Sequence, residues 1–212
     1  MSKHHAFTLV ELLLSMSVMS VIGLSVAVLS VAIGDGYIAS DGYYDALQCG
    51  RNTMLRTEAN ARKAKLMIAS SSTAVVFWAG DTNGDGLINL DEIKTVTFNA
   101  AAGELDEVAV NFGNAPNKAA LNVNVPLSSL GTVAAALAVQ QASTYCVTTP
   151  LATSVSSVQM QVSPAAPLAT RLDLQFTLGS GEQKLTLNNT AHLRADATSH
   201  VGLNGNTWVL TP

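Results

Sequence analysis

Between Phe7 and Gly34 the chain carries one ionisable side chain, Glu11, in 28 residues that are otherwise apolar, Ser, Thr or Gly. About 20 such residues of helix cross a hydrocarbon core about 30 Å thick, so this segment spans a bilayer with length to spare. Whatever else the chain folds into must hang from one membrane helix. A carboxylate costs about 2.5–3.5 kcal/mol at the bilayer centre, and ionisable residues kept there usually have a partner and a use. Two plainer readings compete. A secretory signal would take Lys3 as its basic region and be cut near Ser30-Val31-Ala32, but its apolar stretch is usually 7–15 residues and this one is far longer. A simple single-pass anchor fits the length and leaves Glu11 unexplained.

The run Ala6-Phe7-Thr8-Leu9-Val10-Glu11-Leu12-Leu13, behind the short polar leader Met1–Ala6, resembles the processing site of type IV prepilins and type II secretion pseudopilins. That resemblance implies removal of residues 1–6 by a prepilin peptidase between Ala6 and Phe7, and methylation of the new Phe7 amine. It also implies a filament-core helix over 7–34. Glu11, fifth in the mature chain, would pair in low dielectric with the terminal ammonium of a neighbouring subunit, where attraction is strong and an unpaired charge costly. The leader ends in Ala6, where the family usually has Gly. No proline precedes Pro116, so the helix lacks the kink proline of many major pilins and leaves Gly23 and Gly34-Asp35-Gly36 as its weak points.

About 180 residues remain beyond the membrane helix, enough for one globular domain with its own core. No second run approaches 18 apolar residues, so the mean hydropathy of +0.30 reflects this one span. With 11 Lys and Arg and a net charge of −4, the chain is a poor nucleic-acid binder, since that requires clustered cations. Cys49 and Cys146 fit no metal spacing. In an extracytoplasmic domain a disulfide between them is open, as are two separate buried thiols.

Residues 35–72 read as an amphipathic continuation of the helix. Leu47, Met54, Leu55, Ala61 and Leu66 recur at three- and four-residue spacing among charged residues, and Ser40 or Asp41 can cap a restart. From Thr73 the period changes to two. Val75–Trp78, Ile93–Phe98, Glu107–Val110, Leu121–Val125, Ser157–Val162, Arg171–Leu178 and Gln183–Leu187 read as strands, with turns at Gly103 and Gly179-Ser180-Gly181. Leu130–Ala142 is Ala-rich and reads as a short helix capped by Thr132, while Asn114–Lys118 and Pro164–Pro167 read as loops. The expectation is an α+β unit, with a long helix on an antiparallel sheet domain over 73–212.

Within that domain Asp81-Thr82-Asn83-Gly84-Asp85-Gly86-Leu87-Ile88-Asn89-Leu90-Asp91-Glu92 matches the 12-residue calcium loop D-x-[DN]-x-[DN]-G-x5-E. Ca²⁺ is a hard ion that takes six to eight oxygen ligands. Asp81, Asn83 and Asp85 supply alternating side chains, Gly86 the sharp turn, Leu87 a carbonyl, Asn89 a direct or water-mediated contact, and Glu92 the closing carboxylate. Asp91 competes with Glu92 for that last place. The flanks are strand-like and the loop is single, which points to a structural ion rather than a sensor. The same residues also make an ordinary polar hairpin without an ion.

No catalytic constellation is legible. His4 and His5 lie in the leader, and His192 and His200 have no Cys or Glu at metal spacing. Asn188-Asn189-Thr190 fits a glycosylation sequon but reads more simply as a solvated turn. Leu193-Arg194, after an expected final strand, is similar to the C-terminal strand of J- and W-type minor pilins and pseudopilins. The resemblance therefore implies a non-enzymatic minor subunit. It would sit single-pass in a bacterial inner membrane with a periplasmic domain, and assemble with other pilin or pseudopilin subunits. A membrane-anchored, calcium-dependent binding or adhesion module is the alternative, and it needs neither Glu11 nor the leader.

Overall fold

The computed structural model describes residues 8–179, 184–194, 196–204 and 207–210. Helix α1 runs from Leu9 to Lys63 without interruption. The Gly-Asp-Gly break expected at 34–36 does not occur, and neither Ser40 nor Asp41 caps a restart. The chain divides into two compact units, Met1–Asp45 and Ala46–Pro212. In the first, the side chains described between Thr8 and Asp45 are exposed, as a surface meant for lipid or neighbouring helices would be. The five serines between Leu12 and Val31 each return the hydroxyl to a carbonyl of the preceding turn: Ser15 to Leu12 at 2.9 Å, and Ser17, Ser20, Ser25 and Ser30 to Leu14, Met16, Val21 and Val26 at 2.8 Å. Because hydrocarbon offers no hydrogen bonds, these internal ones make the serines tolerable there.

The second unit is built around a five-stranded antiparallel sheet. β1 is Leu66–Ser70, β2 Ala74–Trp78, β3 Ile93–Asn99 and β4 Glu104–Val110. After a single-turn helix α2 (Lys118–Leu121) and helix α3 (Val133–Gln141), β5 (Cys146–Ala152) completes the order β1-β2-β3-β4-β5. The helix expected through residue 72 therefore stops at Lys63. Leu66, Met67, Ile68 and Ala69 are all buried in succession, a pattern for a strand covered on both faces rather than for a helix with one apolar stripe.

Both faces of this sheet are indeed covered. Val75 and Phe77 of β2 enter one core with Ala61 of α1, Met67, Val96 and Leu105. Val76 and Trp78 enter another with Ile68, Ile93, Val110, Leu130 and Ala136. A second sheet, β6 (Val155–Ser163), β7 (Arg171–Leu178) and β8 (Leu185–His192), sends Met160, Leu172, Leu174, Phe176 and Leu178 into the α1-side core. Helix α1 lies close against it at Gly50, where a Cβ would fall 2.2 Å from Leu187 Cδ1. Helix α3 closes the opposite core. Thr132 caps it by accepting from the Ala135 N–H at 3.2 Å, as expected. Its buried Gln140 accepts from Thr95 Oγ1 at 2.7 Å and donates to the carbonyls of Ile93 and Val108 at 2.9 and 3.2 Å.

A hairpin of β9 (Val201–Asn204) and β10 (Thr207–Leu210) follows, so β8 is not the final strand and Leu193-Arg194 lies between β8 and two further strands. Asn188-Asn189-Thr190 lies inside β8 rather than in a turn. Leu121–Val125 does not form a strand: α2 ends at Leu121, and only Asn124 bridges, to Asn89. Residues 180–183, which hold most of the expected hairpin turn, lie outside the described residues.

Candidate functional site

Ala6 and Phe7 lie outside the described residues, which begin at Thr8, immediately before α1. There the sequence Thr8-Leu9-Val10-Glu11 forms a reciprocal cap. Glu11 Oε2 accepts from the Thr8 backbone N–H at 3.0 Å and from Thr8 Oγ1 at 2.9 Å, while the Glu11 N–H donates to Thr8 Oγ1 at 3.3 Å. This is the capping-box arrangement, which satisfies helix-end donors and is typically worth about 1 kcal/mol. Thr8 was legible as the first residue of a T-x-x-E signature. Sequence reasoning passed over it because Glu11 was read only as a group awaiting an intermolecular partner.

The 81–92 loop leaves β2 and returns through a 3₁₀ turn, Leu90–Glu92, into β3. Its glycines do the turning, with Gly84 at φ 76° and Gly86 at φ 73°, a region open to glycine at little cost. Asp81 is the hub. Its Oδ1 accepts from the N–H groups of Gly84 (2.7 Å) and Asp85 (3.1 Å), and its Oδ2 from Gly86 N–H and Lys65 Nζ, both at 3.1 Å. Burial pushes the Asp81 carboxyl up, but Lys65 and the N–H groups of Gly86 and Gly84 outweigh it and leave the group below the usual aspartate range. Asp85 accepts from the Leu87 N–H at 2.7 Å, from Asn89 Nδ2 at 3.1 Å and from Asn83 Nδ2 at 2.7 Å, and these bonds lower its carboxyl as well.

Residues 88–90 are held from the side. The Ile88 carbonyl accepts from Val125 N–H at 2.8 Å, and Leu90 N–H donates to the Val123 carbonyl at 3.1 Å. The buried Ile88 anchors this seam in the core shared with Val125. Asp91 N–H donates to Asn122 Oδ1 at 3.1 Å; the Asp91 carboxylate has Oδ2 3.5 Å from Lys118 Nζ and a buried Oδ1 without a hydrogen-bond partner.

Glu92 is placed differently from the expectation. Its side chain is buried at 2% exposure and turned toward the base of the loop. Oε1 accepts from Thr82 N–H and Thr82 Oγ1 at 2.6 and 2.9 Å, and Oε2 from Trp78 Nε1 and Asn89 N–H at 2.9 and 3.2 Å. A carboxylate with two donors on each oxygen has its lone pairs in use. Among the described residues no three His, Cys, Asp or Glu side chains converge as a metal cluster. Of the expected donors, Asp81, Asn83, Asp85, Leu87 and Asn89 lie along the loop, and Asn83 and Asn89 turn their amide N–H groups toward Asp85 Oδ2. The two amides would present oxygen by exchanging Oδ1 and Nδ2, an assignment that follows the hydrogen-bond network. Glu92 does not fit without giving up four bonds.

Cys49 and Cys146 are both free and half-buried. Cys49 Sγ lies 4.0 Å from the carbonyl of Leu151, five residues along β5 from Cys146. At about 3.3 Å per strand residue the two sit about 16 Å apart along the strand, well beyond the Cα separation of about 7 Å that a disulfide tolerates. The pairing left open by the sequence is thus not made.

Residues 1–27 match the family model of the prokaryotic N-terminal methylation motif. No curated protein and no solved structure gives a significant match. A methylation motif opening a long apolar helix, followed by antiparallel sheets, is the arrangement of the type IV prepilin and pseudopilin class. Over residues 1–27 the chain is thus similar to type IV prepilins and pseudopilins, and its long apolar helix followed by antiparallel sheets is consistent with a pilin-like fold. Its motif marks membrane anchoring, processing by a prepilin peptidase and assembly with other pilin subunits, and the class is structural rather than enzymatic.

Proposed function

We propose that the chain is a minor subunit of a type IV pilus or type II secretion pseudopilus, held before assembly in a bacterial inner membrane with its sheet domain in the periplasm. The carrying observation is the methylation motif over residues 1–27 with Glu11 set at the head of an exposed apolar helix. Lys3, in the leader, suits a cytoplasmic N-terminus under the positive-inside bias. The Thr8 cap gives the Glu11 carboxylate local partners while the subunit waits in the membrane. In the filament, the ammonium of a neighbouring Phe7 would then compete for it with a full charge.

Glu11→Val tests this role. The variant should insert in the membrane and fold, yet fail to enter filaments or enter them out of register. Normal incorporation would remove the ion pair from the account.

We further propose that the 81–92 loop takes a structural Ca²⁺ through Asp81, Asn83, Asp85, the Leu87 carbonyl and Asn89, with Glu92 serving the loop base. Support comes from the 12-residue spacing, the two positive-φ glycines and the Val123–Val125 clamp. A ligand bound only to the native state adds about 2.7 kcal/mol at 100 times its Kd. Chelator should therefore lower the melting midpoint of the native chain and leave an Asp81→Ala, Asp85→Ala variant unmoved. Absence of any calcium effect and of calorimetric binding would make the loop a polar hairpin.

A further inference from the structure

We propose that Lys65 is the resident counter-ion of the 81–92 loop and sets the calcium level at which the loop fills, an inference that rests on the calcium reading given above. Lys65 follows the end of α1 and precedes β1. Its backbone N–H donates to the Trp78 carbonyl at 2.9 Å, which fixes it beside the strand that feeds the loop. From there its ammonium makes two contacts that converge on one position. Nζ is 3.1 Å from Asp81 Oδ2 and 5.2 Å from the centroid of the Trp78 ring. A charge-assisted hydrogen bond and a cation–π contact thus hold the same group. The Asp81 side chain is only 7% exposed, so water screens the pair less than at an open surface.

Asp81 is the first residue of the calcium loop, and a like charge already stands on it. The Lys65 ammonium and three N–H groups satisfy Asp81, Asn and N–H donors satisfy Asp85, and Glu92 is saturated from Trp78, Thr82 and Asn89. A calcium ion held by Asp81 must either displace the tethered ammonium or accept its repulsion. A divalent charge within several ångströms of an ammonium loses on the order of tenfold in affinity even in water-like surroundings. The consequence is a site tuned to the weak, millimolar end of the calcium range, filling outside the cytoplasm and releasing where calcium is scarce. When calcium fills the loop, Lys65 leaves Asp81, so the ion's presence is felt at the junction where α1 gives way to the sheet.

The test is calcium titration of the full-length chain in detergent micelles, by calorimetry, for the native sequence, Lys65→Met and Lys65→Arg. Melting each in chelator verifies that it is folded. Lys65→Met, which keeps length and removes charge, should bind about tenfold tighter or more. Lys65→Arg should bind like the native chain, and rising salt should narrow the gap between Met and native. If native and Lys65→Met bind calcium equally, or the Met variant binds more weakly, the counter-ion role is overturned while the calcium site stands. If no folded variant binds at millimolar calcium, both readings fall together.

Discussion

Replacing Gly50 by alanine asks whether α1 sits on the second sheet as closely as the structure has it. A Cβ there would lie 2.2 Å from Leu187 Cδ1, 2.9 Å from Leu178 Cδ1 and 3.6 Å from Phe176 Cε2. Carbon contacts are comfortable at about 3.5–4.0 Å, so Leu187 must retreat by more than about 1 Å. Leu178 and Phe176 are fully buried and have nowhere to go, whereas half-buried Leu187 can swing outward. Overpacking of this kind costs about 1–3 kcal/mol, and alanine returns about 0.8–1.0 kcal/mol of helix propensity. The net expectation is a loss of about 1 kcal/mol, or roughly 2–4 °C in melting temperature for a domain of this size. Thermal melts of the full chain in detergent provide the assay, with Gly42→Ala as control, since a Cβ there meets nothing within 4 Å. Adding Leu187→Ala to Gly50→Ala should cost less than the two single changes together, because it removes the atom in the way. If Gly50→Ala instead raises the midpoint, the close packing of α1 on β7 and β8 is wrong.

Three other changes have definite outcomes. Gln140→Ala strips Thr95 and two carbonyls of a buried partner and leaves a cavity, so denaturant unfolding should show a loss of about 2–4 kcal/mol; a loss within experimental error would mean α3 is not pinned there. Asp106 is buried, and that burial, followed by the charge of Glu104, raises its carboxyl. Its ionised form therefore costs stability at neutral pH, and the cost falls away as pH drops through the raised value toward the ordinary aspartate pKa of about 3.9. Asp106→Asn should accordingly raise the midpoint at pH 7 and change it little near pH ~3.5, whereas a lower midpoint at pH 7 would reverse the sign. Thr8→Val removes the hydroxyl of the Glu11 cap and should fray the first turn of α1, with faster amide exchange at Leu9–Glu11 in micelles; unchanged exchange would leave the cap without consequence.

Much of this architecture was legible where one force dominated. The apolar run from Phe7 fixes the span, and Thr132 fixes the start of α3. Alternation in Arg171–Leu178 marks β7, because its two faces meet such different surroundings. Legibility failed where two faces are equally buried or where partners are remote in sequence. Leu66–Ala69 kept a helical spacing with the residues before it, and only the double-sided core makes it a strand. β5 begins with half-exposed, Thr-rich residues and contains Pro150, so its signal is faint until β4 pairs with it. The spacing of the 81–92 loop placed its turns at Gly84 and Gly86, but the inward turn of Glu92 was not legible. That turn depends on Trp78, 14 residues away, and on Thr82, 10 residues away, which donate to its carboxylate.

The most direct measurement of the central claim is the mass and sequence of the mature N-terminus, on chain purified from membranes of cells with an active prepilin peptidase. The account predicts a chain that begins at Phe7 and carries one methyl group on its terminal amine. A chain that still begins at Met1, or one cut near Ile33 after Ser30-Val31-Ala32, would contradict it.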